Sequence, residues 1–379
     1  MRLPLVITAV VAAVLIAGVA YIAGTRAGDD ETTAPVTTTG SSDWNGLTGE
    51  TGTTGETSAT STAGTENIGD LTGLNLTVYT AKGYAQPSIR KDLRDIKTLG
   101  STSVTLVPTW YMQARDANSI MPNPAKSPTD ASLARAIDLA HRAGLKVVLK
   151  PHVDVIDETF RGEIQPVDRV LWFQSYEAMI NHYAEIGARS GADVFVVGTE
   201  LKTMSTETDA FRKVIEGVRS TFDGPLTYAA NWDEVDQVQF WDNLDLIGVD
   251  AYYPLSSPGQ KPSVDDLVAA WQTPLTALKA TSDKWGKPVV MTEIGYPTQA
   301  DAAVRPYEVV PGEPEDQEAQ ATAYEAAFRA FADQDWFQGM SWWSWRGDPG
   351  DGENLSIDYT PQDKKAESIL ASGQGGSRP

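Results

Sequence analysis

Residues 172–201 read WFQSYEAMINHYAEIGARSGADVFVVGTEL, and the change of period inside this stretch decides the fold. Trp172, Tyr176, Met179, Ile180, Tyr183 and Ile186 recur at i, i+4, i+7, i+8, i+11 and i+14, which places all six on one stripe of a helix. After Gly191 the pattern turns to DVFVVGTE, a β-branched and aromatic run of strand length. The helix stripe faces a sheet, and helix followed by strand is one step of an α/β repeat.

Working outward, the same kind of run recurs eight times. The runs are LNLTVYT from Leu74, SVTLVPT from Ser103, KVVLKPHV from Lys146, DVFVVGTE from Asp193, PLTYAANW from Pro225, DLIGVDAYY from Asp245, KPVVMTEIGY from Lys287 and GMSWWSW from Gly339. Amphipathic stretches separate them. The second helix has Thr129 and Asp130 to cap its free N–H groups and ends at HRAG, where Gly144 suits a left-handed C′ position. Eight strand–helix units in residues 71–379 predict an α/β fold of the (β/α)8 TIM barrel type. The alternative, a doubly wound nucleotide-binding sheet, lacks its signature, because TAKGYAQPS and no glycine-rich phosphate loop follows the first strand.

Ahead of this domain, Leu3–Gly24 is apolar except for Thr8, about the length of a bilayer-crossing helix. Residues 1–26 therefore predict a transmembrane anchor, with a cleaved signal peptide as the competing reading. Residues 27–70 carry Thr, Gly, Ser and eight carboxylates with no Lys or Arg, a disordered, acid-extended linker. Together they predict a globular domain held at the cell surface outside the cytoplasm, or secreted if the first segment is removed. A monomer is expected, with contact to the membrane only through the N-terminal segment. The 30 basic and 51 acidic residues of the 379-residue chain give a net charge of −21, which repels nucleic-acid phosphates. Without cysteine there are no disulfides, thiolate nucleophiles or iron–sulfur clusters, and with three histidines a His-rich metal site is not expected. No cofactor is implied. The acids of DPGDGEN, Asp348, Asp351 and Glu353, lack the spacing of an EF-hand and read as an acidic turn.

In a (β/α)8 barrel chemistry sits at the C-terminal ends of the strands. Those ends supply Trp110 after the second strand, His152 and Asp154 after the third, Glu200 at the fourth and Asn231 and Trp232 at the fifth. Tyr252 and Tyr253 follow the sixth strand, Glu293 the seventh, and Trp343 and Trp345 the eighth. Strict alternation puts Trp343 and Trp345 on one face and Trp342 on the other. A lone glutamate at a strand end is commonly a solvated rim charge. Two of them across one barrel mouth, ringed by aromatics, are what cleavage of a glycosidic bond requires: one acid protonates the departing oxygen and one carboxylate answers the charge growing on the sugar carbon.

The strings LKPHVD, FRGEI, WFQSYEAMINHYAEIGARSGADVFVVGTEL, YAANWDE and TEIGYP are similar to glycoside hydrolase family 113 of the retaining (β/α)8 clan, a family of endo-β-1,4-mannanases. The resemblance covers most of residues 75–346. It implies a retaining endo-glycosidase acting on a β-linked polysaccharide, β-1,4-mannan first, with Glu200 as acid/base and Glu293 as nucleophile. It further implies that Tyr253 lies against the nucleophile, with Tyr252 the second candidate, and that Trp345 floors the cleaved sugar. Trp110, His152, Asp154, Asn231 and Trp232 would line the cleft. Two departures stand out: Thr199 precedes the acid/base where many clan members carry Asn, and no arginine ends the second strand. The competing readings are a carbohydrate-binding barrel without turnover and an enzyme that remodels the cell's own envelope polysaccharide.

Overall fold

The computed structural model describes residues 68–347 and 356–379. The expected membrane segment, all but the last three residues of the linker, and the acidic turn of DPGDGEN lie outside them. Ten strands follow in order: β1 (Gly73–Thr77), β2 (Ser103–Leu106), β3 (Thr109–Met112), β4 (Lys146–Leu149), β5 (His152–Val155), β6 (Val194–Thr199), β7 (Leu226–Asn231), β8 (Ile247–Asp250), β9 (Val289–Ile294) and β10 (Phe337–Arg346). Eight of them, β1, β2, β4, β6, β7, β8, β9 and β10, close in that order into a parallel barrel, with β10 returning to β1. The helices are α1 (Ile89–Thr98), α2 (Asp130–Arg142), α3 (Arg169–Ser190), α4 (Thr208–Arg219), α5 (Val264–Trp285), α6 (Gln317–Phe331) and α7 (Lys365–Gly373). Among the described residues no helix is long and apolar enough to cross a membrane.

The alternation of side chains divides the core in two. Val147 and Leu149 of β4, Phe195 and Val197 of β6, and Val289 and Met291 of β9 join the large core between barrel and helices. Their neighbours Val148, Val196 and Val290 join Leu71, Val194, Ala229 and Leu246 in a small separate cluster, the apolar plug of the barrel. Polar side chains follow it: Asn75 Nδ2 donates to Thr292 O at 3.2 Å and Ser341 Oγ at 3.0 Å, and Thr105 Oγ1 lies 2.9 Å from Ser341 Oγ. Strands approach closely here, and a Cβ on Gly248 of β8 would lie 2.4 Å from the Tyr228 carbonyl oxygen.

The six stripe residues read from sequence are all buried on α3. Asp168 caps that helix by accepting from Val170 N at 2.9 Å and Leu171 N at 3.1 Å, and Gly191 ends it at φ 81°. Thr129 caps α2, and Gly144 has φ 78°.

Two predicted strands are each broken in two by a proline. Val107-Pro108 interrupts the second run and Lys150-Pro151 the third, where proline supplies no N–H to a ladder. Beyond them β3 and β5 pair in parallel as a ribbon apart from the barrel, with Tyr111 opposite Asp154. The ribbon raises one wall of the barrel mouth.

Candidate active site

A cleft of about 1220 Å³ opens over the C-terminal ends of the strands. Glu200 and Glu293 both line it, with Asp154, Arg161, Asn231, Trp232, Tyr252 and Trp343. Glu293 comes from β9 and Glu200 directly follows β6. Glu200 has a φ of 51°, a left-handed backbone unusual for a residue with a side chain.

Glu293 is held from three sides. Its Oε2 accepts a hydrogen bond from the Tyr252 hydroxyl at 2.6 Å. Its Oε1 accepts from the Lys150 ammonium and lies 3.5 Å from His152 Nε2. The same ammonium donates to Asp250 Oδ1 at 2.9 Å and Oδ2 at 3.0 Å, and Asp250 Oδ1 also accepts from Thr292 Oγ1 at 2.7 Å. Lys150 is fully buried, so its charge acts on these two carboxylates with little screening by solvent. Burial alone pushes Glu293 up, but the Lys150 charge and His152 outweigh it and hold the carboxyl well below the usual range. His152 is itself pushed down to about 4, by burial and then by the Arg161 charge, so it is neutral at pH 7.

Glu200 has the opposite fate. Its Oε2 accepts from Arg161 Nη1 at 2.8 Å, yet burial and the negative charges of Asp250 and Glu293 prevail, and its carboxyl is pushed up to about 8. Asp250 rises to about 7 through burial and the facing charge of Glu293. One cleft thus holds a carboxyl that keeps its proton at neutral pH and another that has lost it, which is how an acid and a nucleophile are told apart by environment.

The residues named from sequence divide. Asp154, Asn231 and Trp232 line the cleft with the two glutamates, and His152 lies beneath it, buried, with its ring 5.9 Å from that of Trp343. Trp345 is corrected. It is 3% exposed in the main core, with its indole N–H 3.4 Å from Asp92 Oδ1, and Trp343 lines the cleft in its place. The cause is a bulge: Leu74 and Leu76 of β1 pair with Trp342 and Trp345 of β10, so one extra residue breaks the alternation. Tyr253 is corrected too, since its ring packs 5.7 Å from both Trp232 and Trp271 while Tyr252 reaches Glu293. Tyr252 stands two residues after Asp250 and keeps its inward face. Trp110 lies against His182 and Tyr183 at 5.5 and 5.9 Å, away from the cleft, and its neighbour Tyr111 on the ribbon lines the wall.

Sequence reading missed Lys150, Asp250, Arg161 and Tyr359. The first two carried a signal, because each is a charge ending an apolar strand run, VVLK and IGVD, at the end of the barrel where chemistry belongs. Arg161 lies on a single turn after β5, where no periodicity points inward. Tyr359 packs 6.2 Å from Tyr252, in a segment returning over the mouth where Lys364 Nζ bonds Asp358 Oδ1 at 2.8 Å and Thr298 Oγ1 at 2.7 Å. Among the described residues no group of His, Asp and Glu is placed to hold a metal ion.

A closed eight-strand parallel barrel carrying a buried pair of oppositely tuned glutamates in an aromatic-lined cleft is the architecture of a glycoside hydrolase. The chain belongs to Glycoside Hydrolase Family 113, whose family model matches residues 77–360. Among solved structures it is similar to the family 113 β-mannanase of Alicyclobacillus acidocaldarius in complex with ManMIm, at 29% identity and a TM-score of 0.73, over 81% of this chain and 97% of that one. A second family 113 β-1,4-mannanase matches with 24% identity and a TM-score of 0.73, over 81% and 99% of the two chains. The β-glucuronidase of Ruminococcus gnavus shares the fold alone, at 13% identity and a TM-score of 0.55, over 80% of this chain and 50% of that one. No curated protein sequence matches the chain. Its substrate is accordingly a polysaccharide or an oligosaccharide.

Proposed function

We propose that the protein is a retaining endo-β-mannanase, cleaving β-1,4-linked mannan by double displacement. The observation that carries the mechanism is the opposed tuning of Glu200 and Glu293 within one cleft. Glu293 attacks the anomeric carbon as the C–O bond to the leaving sugar breaks, and Glu200 gives its proton to that oxygen. Ionised Glu200 then takes a proton from water, whose oxygen attacks the anomeric carbon and releases Glu293 with net retention. Tyr252 and Lys150 keep Glu293 ionised and aimed. Trp343 and Trp232 offer faces to sugar rings.

The choice of mannan rests on the similarity to family 113 β-mannanases, and endo action on a cleft roomier than the about 300–1000 Å³ of most small-molecule sites. A net charge of −21 favours a neutral polymer over a polyanion. The apolar run of residues 3–24 and the acidic linker of residues 27–70 support a surface-tethered enzyme, and N-terminal sequencing of the exported protein tests for cleavage.

The test is a panel of mannan, glucan, xylan and the producing cell's envelope polysaccharide, with the anomeric configuration of fresh product read by proton NMR. β-Anomers released first, from mannan and from internal bonds, are expected. Binding without reducing ends would mean a non-catalytic barrel, release from envelope material alone would mean a remodelling enzyme, and α-anomers would remove double displacement.

The pH profile follows from the same carboxyls. Glu200 must be protonated to act as acid, so kcat/KM falls as pH rises through about 8. Glu293 is ionised far into acid, so it does not set a limb near pH 4. A basic limb near 5 instead would show that burial and the facing carboxylates do not push Glu200 up in this way.

A further inference from the structure

Arg161 spends every donor nitrogen inside the site. Nη1 donates to Glu200 Oε2 at 2.8 Å, Nη2 to Asp154 Oδ1 at 2.5 Å and Nε to the Val153 carbonyl at 3.1 Å. The turn that carries it, Arg161–Glu163, is pinned to the loop after β6, where Thr203 N donates to Gly162 O at 3.3 Å and Thr203 Oγ1 to Ile164 O. Glu200 stands at the head of that loop. The guanidinium and the carboxyl it holds are therefore fixed to one another through backbone as well as side chain, and the fork leaves little freedom to either partner.

We propose that Arg161 is the positioning residue of Glu200 and that Asp154 sets how much of the guanidinium charge Glu200 feels. The inference rests on the reading of Glu200 as acid/base, and it gives Asp154 a task other than contact with sugar. Because Arg161 donates to Oε2, the proton for the leaving oxygen sits on Oε1. When the O–H bond of Oε1 breaks and its proton passes to the leaving oxygen, the carboxylate that forms is already paired with a cation. When water returns a proton in the second step, that pairing is the state from which Glu200 acts as base. A bare cation would hold Glu200 ionised from the start and remove the acid. Asp154, bound to the other arm of the fork and kept ionised by Arg161 against the upward push of burial, prevents this.

The other charged groups that face Glu200 are Asp250 on β8, Glu293 on β9 and Lys150 after β4, and all three stay in place in the variants below. Asp154→Asn removes the anion and leaves the cation, so the Glu200 carboxyl titrates lower, by about one pH unit. Arg161→Gln removes the cation and leaves the anion, so Glu200 titrates higher, by about one to three units. Arg161→Lys keeps the charge and loses the fork, so the titration stays close to wild type while kcat falls.

The experiment is a pH titration of the full-length protein labelled with 13C at the glutamate carboxyls, with the Glu200 signal identified by its loss in Glu200→Gln. The pH dependence of hydrolysis of β-1,4-mannohexaose is measured beside it. Shifts of opposite sign in Asp154→Asn and Arg161→Gln support the proposal, because loss of folding cannot move one carboxyl in two directions. Should Arg161→Gln fail to fold, a downward shift in Asp154→Asn with an unshifted Arg161→Lys decides in its favour. A Glu200 titration that stays at its wild-type pH in Asp154→Asn overturns it. Full hydrolysis by Glu200→Gln would instead refute the acid/base reading, whatever the titrations show.

Discussion

Replacing Glu293 with glutamine removes turnover, by on the order of 10⁴-fold or more, because the amide that takes its place cannot form the glycosyl ester on which the double displacement depends. The change is nearly isosteric, and Tyr252 and Lys150 remain beside it, so the fold survives and only the reaction is lost. Glu293→Ala goes further, opening a hollow against Tyr252 and Lys150 that a small anion can enter. Azide added to that variant attacks the anomeric carbon from the face Glu293 serves and yields a glycosyl azide of inverted configuration. In Glu200→Ala the covalent intermediate still forms from an aryl glycoside with a good leaving group, and azide then attacks from the opposite face, giving a product of retained configuration. Chromatography and NMR of the two azides therefore assign the roles separately. Retained product from the Glu293 variant and inverted product from the Glu200 variant would exchange them, and wild-type turnover in Glu293→Gln would end the mechanism.

That both glutamates were legible in the sequence has a physical reason. A barrel strand must present alternate residues to a packed interior until it ends, and a carboxylate at the end of an otherwise apolar run is then either at the mouth or misplaced. VVGTE and VVMTEI each carry this signature. Helix stripes were equally legible, since Trp172 through Ile186 lie on the face that α3 buries. Reading failed where the period itself failed. In SWWSW the bulge between Trp342 and Trp345 inserts one residue, so the tryptophan counted onto the cleft face lands in the core and Trp343 takes its position. At Pro108 and Pro151 the chain leaves the barrel and starts a new ladder, so Trp110 turns away and Tyr111 faces the mouth. Arg161 sits on a turn with no repeat at all, and only three dimensions bring it to a carboxyl 39 positions away. The glutamates stay legible although the ladders of β6 and β9 shift register beside them, because a carboxylate closing an apolar run marks the strand end whatever the local pairing, whereas which face a tryptophan takes depends on an unbroken count.

The lysine that ends β4's run is the second place where one substitution has a large effect, and here stability and chemistry move together. Lys150→Met, close in volume, takes away the only cation that bonds Asp250 and Glu293 in the described structure and leaves two buried carboxylates facing one another. Removing one member of a buried ion pair costs about 3–5 kcal/mol, which in a domain of this size lowers Tm by roughly 10 °C at neutral pH. The pH dependence carries a definite sign. With Lys150 present Glu293 titrates below its unfolded value, which contributes stability above that value and loses it as pH falls. Without Lys150 both carboxyls titrate above their unfolded values, so the variant is penalised most at high pH and recovers as they protonate. The gap between the two melting curves therefore narrows as pH falls towards 4. Activity follows Glu293: in the variant its carboxyl titrates higher, though Tyr252 and His152 still face it, and the acid limb of kcat/KM moves up in pH. Adding Asp250→Asn to Lys150→Met removes one of the two facing charges, so the double variant is more stable than the single one and the mutant cycle shows a coupling well above 1 kcal/mol. Additive losses, or an acid limb that stays in place, would mean that Lys150 merely fills space; a coupled loss means that Glu293 is kept ionised by a cation delivered from the strand directly across the barrel.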